Sequence, residues 1–305
     1  MQTTRRNFLE GLSAAFALAA TSGCATLRPG SVPRIGLQLY SIRDYIASAG
    51  LERALADVAA IGFEGVEFAG YFNRTAGDLR RLLDANGLVS CGTQVERAAF
   101  GPDRAAATCA FERELGNDCI YCVGEGNFPP GVGWACETTE PRKEVDAFIE
   151  RLCAFYGQAA ERCAREGCRI GIHNHRWEFM TKMTDGTAFW DYFLAHTPQS
   201  VLIEQDVGWT TCAGRDPCAL YERYPGRSVA LHAKENGMGE GVREFDGVLG
   251  RPGRPGAKGV EWDRLLPVAR KAGVEWFVVE CERGEGGLDA VRPSYAFLKE
   301  RLDLA

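Results

Sequence analysis

The stretch that decides the fold is SVALHAKEN, residues 228–236. Side chains of an extended strand alternate between two faces, so His232 and Lys234 share one face while the apolar Val229 and Leu231 lie on the other. A strand that is apolar on one side and ends in an imidazole, a cation and a carboxylate is typical of a barrel strand that runs into an active site. The same residues also fit a buried strand whose histidine is hydrogen-bonded within the core.

Seven further segments have strand character, and amphipathic helical patterns separate them. The predicted strands are residues 34–40, 65–68, 89–94, 119–123, 169–174, 201–206, 229–233 and 276–281. Helix ends are marked by signals such as the capping pair Thr75 and Asp78 and the terminal Gly62. Eightfold alternation predicts an α/β protein, and no G-x-G-x-x-G motif follows the first strand. We therefore predict a (β/α)8 TIM barrel, a single domain over residues 31–305.

Polar residues recur on the inferred inward face, near the carboxyl ends of the predicted strands. In register with His232, the inward side chains include Gln38, Tyr40, Glu67, Gln94, His175 and Glu204. The catalytic groups of TIM barrels lie at this end of the strands. A polar pocket explains so many inward polar residues better than separate buried side chains would, and we expect Gln38, Tyr40, Glu67, Gln94 and His175 to contact a substrate.

Four of the predicted strands, the fifth to the eighth, end in groups that bind metals. These groups are His173 or His175, Asp206, His232 and Glu280. Two imidazoles and two carboxylates around one point suit one divalent ion such as Mn²⁺, Co²⁺, Zn²⁺ or Mg²⁺. Such an ion would hold a sugar carbonyl and its neighbouring hydroxyl, and a carboxylate would remove the proton between them. Alternatively, Asp206 caps a turn and Glu280 pairs with an arginine.

Lys234 has two interpretations. It projects inward beside His232, where an ammonium group would stabilise a developing enolate oxygen. An ion pair with Glu204 or Glu235 fits the spacing equally well.

The first 30 residues have the composition of an export signal and linker. Arg5 and Arg6 form a twin-arginine pattern, and a short apolar run, residues 12–20, follows them. The sequence TSGC, residues 21–24, is similar to a lipobox that ends at Cys24. We predict twin-arginine export to the periplasm, as a soluble protein or with a lipid anchor at Cys24 as its membrane contact.

The net charge bears on binding to nucleic acid and membranes, and the cysteine spacing bears on metal binding. The net charge of −6 gives no electrostatic reason to bind nucleic acid or an anionic membrane. There are twelve cysteines, but Cys119 and Cys122 lie three residues apart on a strand and face opposite ways. In an oxidising compartment some cysteines could pair, for example Cys212 with Cys218.

Several motifs together resemble a known family. The motifs are IGLQLYSIRD (35–44), GFEGVE (62–67), HNHRWEF (173–179), EQDVGW (204–209), LHAKEN (231–236) and PGAKGVEW (255–262). They are similar to the sugar phosphate isomerase/epimerase members of the xylose isomerase-like TIM barrel superfamily, in an exported branch with an HNH motif. The resemblance covers nearly all of residues 34–300.

The resemblance implies roles for individual residues. It implies metal ligands at Asp206, His232 and Glu280, with Glu280 also acting as the proton-transfer base. His173 stands where the family usually has a glutamate ligand, so it is the expected fourth ligand. This departure leaves a second acid/base group to be found, and Glu178 is the nearest spare carboxylate.

Two substrate contacts also depart from the family's usual residues. Trp209 stands where many members have a substrate-binding histidine, and Gln94 stands where many have a histidine on the third strand. The segment 125–140, which contains Phe128 and Trp134, is expected either to shape the pocket mouth or to pack as a loop.

The function implied is a divalent-metal-dependent isomerase or epimerase of sugars or keto-sugars, which works by proton abstraction next to a carbonyl. Two alternatives use the same barrel. One is a lyase that cleaves 3-keto-glycosides after the same enolisation. The other is a non-catalytic carbohydrate-binding protein.

Overall fold

Eight parallel strands close into a barrel in the computed structural model, which describes residues 32–133, 141–236, 248–251, 258–281 and 287–304. The strands are β1 Arg34–Gln38, β2 Gly65–Phe68, β3 Val89–Val95, β4 Cys119–Cys122, β5 Arg169–His173, β6 Val201–Asp206, β7 Ala230–Ala233 and β8 Trp276–Val279. Closure is seen at Gly36, which pairs with Gly65 on one side and with Val278 on the other. The predicted TIM barrel is confirmed.

Helices surround the barrel and follow the strands. They are α1 Arg43–Ala49, α2 Leu51–Ile61, α3 Ala76–Ala85, α4 Ala105–Leu115, α5 Lys143–Arg165, α6 Trp177–Met180, α7 Phe189–His196, α8 Val207–Cys212, α9 Pro217–Arg223, α10 Trp262–Lys271 and α11 Leu288–Leu304. Their ends follow local chemistry. The Thr75 side chain accepts a hydrogen bond from the Asp78 amide at the start of α3, and Gly62 ends α2 with a left-handed φ of 116°.

The inside of the barrel has an apolar lower layer. Its buried members are Cys91, Cys119, Tyr121, Leu202, Val229, Ala230, Trp276 and Val278. Glycines on the inner face leave room for large neighbours. A Cβ at Gly65 would lie 2.8 Å from the Trp276 ring, and a Cβ at Gly92 would lie 2.7 Å from Oε2 of Glu67. Small residues at these positions allow both an aromatic and a carboxylate to fit inside the barrel.

The predicted first strand was too long, and Tyr40 does not face inward. β1 ends at Gln38, whose side-chain oxygen accepts a hydrogen bond from the Tyr40 amide at 3.0 Å. This cap begins a short 3₁₀ turn, Leu39–Ile42, which carries the chain out of the sheet. Tyr40 is therefore 47% exposed, and its ring lies 4.2 Å from the Arg43 guanidinium carbon.

The structure tests the predictions made for the cysteines. Cys119 belongs to the layer inside the barrel and Cys122 to the core outside it, as alternation required. The ten described cysteines are all free, so a bond between Cys212 and Cys218 is absent.

The predicted signal and linker of residues 1–30, with Cys24, lies outside the described residues. In the described part of the chain, no helix is both long and apolar enough to cross a membrane.

Candidate metal centre and active site

Four side chains from consecutive strands meet at the carboxyl end of the barrel. They are His173, Asp206, His232 and Glu280, all buried, and their ligand atoms lie within 4.8 Å of one another. Nδ1 of His232 lies 2.6 Å from Oε2 of Glu280, and Nε2 of His173 lies 4.0 Å from Oδ2 of Asp206. The sequence placed these four residues on one face, and the structure brings them together.

Strand register and one helix cap explain this convergence. Asp206 is the last residue of β6 and pairs in register with His232 of β7, so their side chains point the same way. Oδ1 of Asp206 also accepts a hydrogen bond from the Trp209 amide at 2.9 Å, which caps α8. The two interpretations of Asp206 are therefore compatible, because Oδ1 caps the helix while Oδ2 faces the cluster.

Lys234 lies among the same carboxylates. Its Nζ is 3.0 Å from Oδ2 of Asp206 and 3.2 Å from Oε2 of Glu280, and its side chain is buried. The predicted ion pairs with Glu204 or Glu235 are wrong, because strand alternation does not say which strand's carboxylate an inward lysine reaches. The ammonium group instead neutralises part of the negative charge where the four candidate metal ligands converge.

A second pair of carboxylates lies on the opposite side of His232 from Glu280. Oε1 of Glu67 lies 2.9 Å from Nε2 of His232 and accepts a hydrogen bond from Gln38 Nε2 at 2.5 Å. Oε2 of Glu204 lies 3.4 Å from the same Nε2 and accepts from Gln94 Nε2 at 3.2 Å. Gln38 and Glu67 have no exposed surface, so they form an inner polar layer beside the metal cluster.

The carboxylates of the cluster have contrasting acidities. Burial acts to raise the pKa of Glu280, but nearby Lys234 and His232 outweigh it and hold that pKa well below its usual range. Burial raises the pKa of Asp206 despite the attraction of Lys234. The pKa values of these two carboxyl groups are therefore shifted in opposite directions.

The two imidazoles also differ. Burial acts to lower the pKa of His232, but the carboxylates of Glu204, Glu67 and Glu280 raise it well above its ordinary value. Burial and the neighbouring His232 lower the pKa of His173 well below its ordinary value. Burial and then the nearby Glu67 raise the pKa of Glu204 well above its ordinary value, although His232 acts to lower it.

The donor set fits one divalent ion. Bonds of about 2.0–2.2 Å place two ligands of one ion at most about 4.4 Å apart, and the ligand atoms of these four residues lie within 4.8 Å of one another. Ligand imidazoles are neutral, which leaves Lys234 as the one cation among four buried carboxylates of the described pocket. A divalent ion offsets the remaining negative charge.

Comparisons with known proteins agree with this geometry. The sequence profile of xylose isomerase-like TIM barrels matches residues 55–301. The chain belongs to the xylose isomerase-like TIM barrel family. It is similar to the rhizopine catabolism protein MocC of Rhizobium meliloti, with 27% identity over 252 residues that cover 76% of this chain and 75% of MocC.

Solved structures share this family member's fold. A sugar phosphate isomerase/epimerase from Parabacteroides distasonis superimposes with a TM-score of 0.67 and 20% identity, covering 90% of this chain and 97% of that one. An L-ribulose 3-epimerase superimposes with a TM-score of 0.66 and 16% identity, covering 89% and 95% of the two chains. At these identities the comparison concerns the fold alone.

The rim of this xylose isomerase-like barrel holds the remaining predicted site residues. The rings of His175 and His173 are 4.8 Å apart, and the ring of His175 lies 5.8 Å from that of Trp209. Oε2 of Glu178 accepts a hydrogen bond from the His175 amide at 2.8 Å, and Oε1 lies 3.8 Å from Nδ1 of that ring. Burial raises the pKa of Glu178. Phe128 packs edge-on against Trp177, whereas Trp134 lies outside the described residues.

Sequence reasoning gave two buried glutamates no role beyond a possible ion pair with Lys234. Glu204 was placed on the inward face, but its contacts with His173 and His232 depend on side-chain packing between strands. Glu235 was considered as a partner of Lys234 and lies in a family motif, but its carboxylate accepts hydrogen bonds from Val260 and Trp262. Alternation placed Glu204 on the inward face, two residues before Asp206, but no local pattern reveals the partners of Glu235.

Proposed function

We propose that this protein is a divalent-metal-dependent enzyme that acts on a sugar or keto-sugar as an isomerase or epimerase, by proton abstraction next to a carbonyl. The observation that carries the proposal is the buried cluster of two imidazoles, two carboxylates and one ammonium at the carboxyl end of the barrel. Active sites of TIM barrels lie at this end.

The relatives support the class of substrate. The names of the two solved structures describe a sugar phosphate isomerase/epimerase and an L-ribulose 3-epimerase, and MocC is named for the catabolism of a rhizopine. A catabolic enzyme acting on a small polyhydroxylated molecule agrees with these names. The rim residues His175 and Trp209 are the proposed substrate contacts.

The metal would be held by His173, Asp206, His232 and Glu280. When bound, a divalent ion polarises a carbonyl and makes the neighbouring C–H bond more acidic. Its identity among Mn²⁺, Co²⁺, Zn²⁺ and Mg²⁺ follows from neither the ligand set nor the fold.

Two carboxyl groups with opposite pKa shifts would transfer the protons. Glu280 stays ionised because Lys234 and His232 outweigh the effect of burial on its pKa, so it is suited to accept a proton from carbon. Burial raises the pKa of Glu178, so this group is suited to hold and donate a proton beside His175. A pair of carboxyls separated in pKa is a recurrent arrangement for acid and base roles.

Lys234 would stabilise the negative charge that develops on the substrate oxygen. Its Nζ is already fixed between Asp206 and Glu280, so little rearrangement is needed when charge appears. A preorganised charge in a buried site is effective for this reason.

The test is incubation of metal-loaded protein with a panel of sugars and keto-glycosides in D₂O. We expect deuterium at a carbon next to a carbonyl in at least one recovered sugar, detected by NMR and mass spectrometry. The metal-stripped protein and His232→Ala serve as controls and should incorporate none.

Other outcomes separate the alternatives. Deuterium accompanied by release of the aglycone from a 3-keto-glycoside would identify a lyase. A sugar that binds tightly but shows no exchange and no product would contradict the enzyme proposal and favour a carbohydrate-binding barrel.

A further inference from the structure

Glu67 and Glu204 are completely buried, and neither is among the four residues proposed to hold the metal. Each of them instead contacts an imidazole of the metal cluster. Oε1 of Glu67 lies 2.9 Å from Nε2 of His232, and Oε2 of Glu204 lies 3.2 Å from Nδ1 of His173. Two adjacent buried carboxylates are costly to the folded state, so their retention needs an explanation in terms of these contacts.

The contacts distinguish the two nitrogens of each ring. In His173, Nδ1 faces Glu204 while Nε2 faces Asp206, 4.0 Å away. In His232, Nε2 faces Glu67 while Nδ1 faces Glu280, 2.6 Å away. A carboxylate that accepts a hydrogen bond from one ring nitrogen leaves the lone pair of the other nitrogen for a metal.

We infer that Glu67 and Glu204 are positioning residues, which orient the two imidazoles so that His173 binds the metal through Nε2 and His232 binds it through Nδ1. This inference rests on the proposed metal site but not on the proposed reaction. It also accounts for the use of opposite nitrogens by the two histidines, because Glu204 lies against Nδ1 of His173 whereas Glu67 lies against Nε2 of His232.

The surrounding amides favour this role over a second metal site. Glu67, Glu204 and His232 could by distance alone hold another ion. However, Gln38 donates a hydrogen bond to Oε1 of Glu67 and Gln94 donates to Oε2 of Glu204, at 2.5 and 3.2 Å. These N–H groups point positive charge at the same carboxylate oxygens that face the two rings. The same amide groups hold the carboxylates in place against the rings.

The first measurement uses the wild-type protein, which has only four histidines. Long-range ¹H–¹⁵N NMR spectra report which nitrogen of each ring carries a proton or a metal. In the Zn²⁺ form we expect Nε2 coordination for His173 and Nδ1 coordination for His232. In the metal-free form we expect His173 to carry its proton on Nδ1. The opposite nitrogens would overturn the inference, and the metal-free spectrum decides the case of His173 even if no metal binds.

The second measurement compares Glu67→Gln and Glu204→Gln with Glu112→Gln. Glu112 is a matched control because it is an equally buried glutamate outside the cluster, hydrogen-bonded to Tyr71 and Asn117. Competition with a chelator should show a loss of metal affinity of about 10- to 100-fold in the first two variants and none in the control. The visible absorption spectrum of bound Co²⁺ should change in the same two variants.

The outcomes separate this inference from the proposed function. If the wild type binds one metal and both cluster variants bind it as tightly, with unchanged Co²⁺ spectra, the positioning role is wrong and the carboxylates are only structural. Binding of two ions by the wild type, reduced to one in either variant, would also overturn it in favour of a second site. Metal binding as expected without any deuterium exchange would contradict the proposed reaction and leave the positioning role standing.

Discussion

The indole Nε1 of Trp262 donates a hydrogen bond to Oε2 of Glu235, 2.7 Å away. The same carboxylate accepts hydrogen bonds from the amides of Gly250 at 2.7 Å and Val260 at 2.8 Å. Glu235 therefore connects the end of β7 to the start of α10. Its place one residue after Lys234 suggests a catalytic group, but its contacts are those of a structural one.

Replacement of Glu235 should affect stability and not metal binding. In Glu235→Gln the side-chain amide would point N–H groups at buried N–H donors, so we expect the free energy of unfolding to fall by about 2–4 kcal/mol. Urea denaturation measures this loss, and Glu261→Gln, an exposed neighbour, is the control. A large loss of metal affinity in folded Glu235→Gln would contradict the structural role.

Metal content should depend on the cluster histidine and aspartate. We expect elemental analysis to find about one divalent ion per wild-type chain, and a strong reduction in His232→Ala and Asp206→Ala. Added metal at about a thousandfold excess over its dissociation constant should stabilise the wild type by about 4 kcal/mol. His196→Ala, at the end of α7 and outside the cluster, should behave like the wild type. Undiminished metal in both cluster variants would remove the proposed site.

Lys234→Met separates charge stabilisation of the substrate from charge balance in the pocket. Loss of the ammonium leaves the carboxylates of Asp206 and Glu280 facing each other, so the metal-free protein should lose about 3 kcal/mol of stability. Metal should restore much of this stability, yet turnover should fall at least about a hundredfold. Lys299→Met, which removes an exposed lysine, is the control. Lower stability with unchanged turnover would limit Lys234 to an ion pair.

The pH dependence of stability should include a contribution from Glu112. Burial raises the pKa of this carboxyl above its usual 4.5, although hydrogen bonds from Tyr71, Asn117 and Thr93 act to lower it. The folded protein thus binds this proton more tightly than the unfolded chain does. Its stabilising effect is full below about pH 4.5 and is lost as the pH rises through the folded-state pKa.

Urea denaturation between about pH 4.5 and 8 tests this sign. As the pH rises, the difference in unfolding free energy between Glu112→Gln and the wild type should shift in favour of the variant. The exposed Glu114→Gln should show a constant difference. A shift in the opposite direction for Glu112→Gln would mean that the hydrogen bonds outweigh burial.

Export by the twin-arginine route is a prediction from the first 30 residues. The double change Arg5→Lys and Arg6→Lys keeps the charge but removes the receptor-read pattern, so the precursor should accumulate in the cytoplasm. Cell fractionation measures this, and normal periplasmic levels of the double variant would exclude the route. Detergent phase separation of the wild type and Cys24→Ser tests lipidation separately: a wild type already in the aqueous phase would exclude the anchor.

Strand alternation was enough to predict the barrel and the convergence of its polar strand ends. The period of two fixes which side chains face inward, and closure then forces the ends of β5 to β8 together. That is why His173, Asp206, His232 and Glu280 could be grouped before their distances were known.

Contacts that depend on side-chain direction could not be predicted in the same way. Tyr40 leaves the inward face because the preceding Gln38 caps a turn through its own side chain. Lys234 reaches across to Asp206 and Glu280, and a one-dimensional pattern contains no information about that reach. Glu235 finds its partners some 15 to 27 residues further along the chain.

Because Gly92 has no Cβ, its position limits which substitutions the sequence of this pocket can accept. A methyl group there would come within 2.7 Å of Oε2 of Glu67, and Glu67 in turn touches His232. Neither position can therefore accept a larger group alone without disturbing His232, which Glu67 contacts across the barrel. In related sequences, residues 92 and 67 should covary, with a bulkier residue at the first accompanied by a shorter acid or a neutral group at the second.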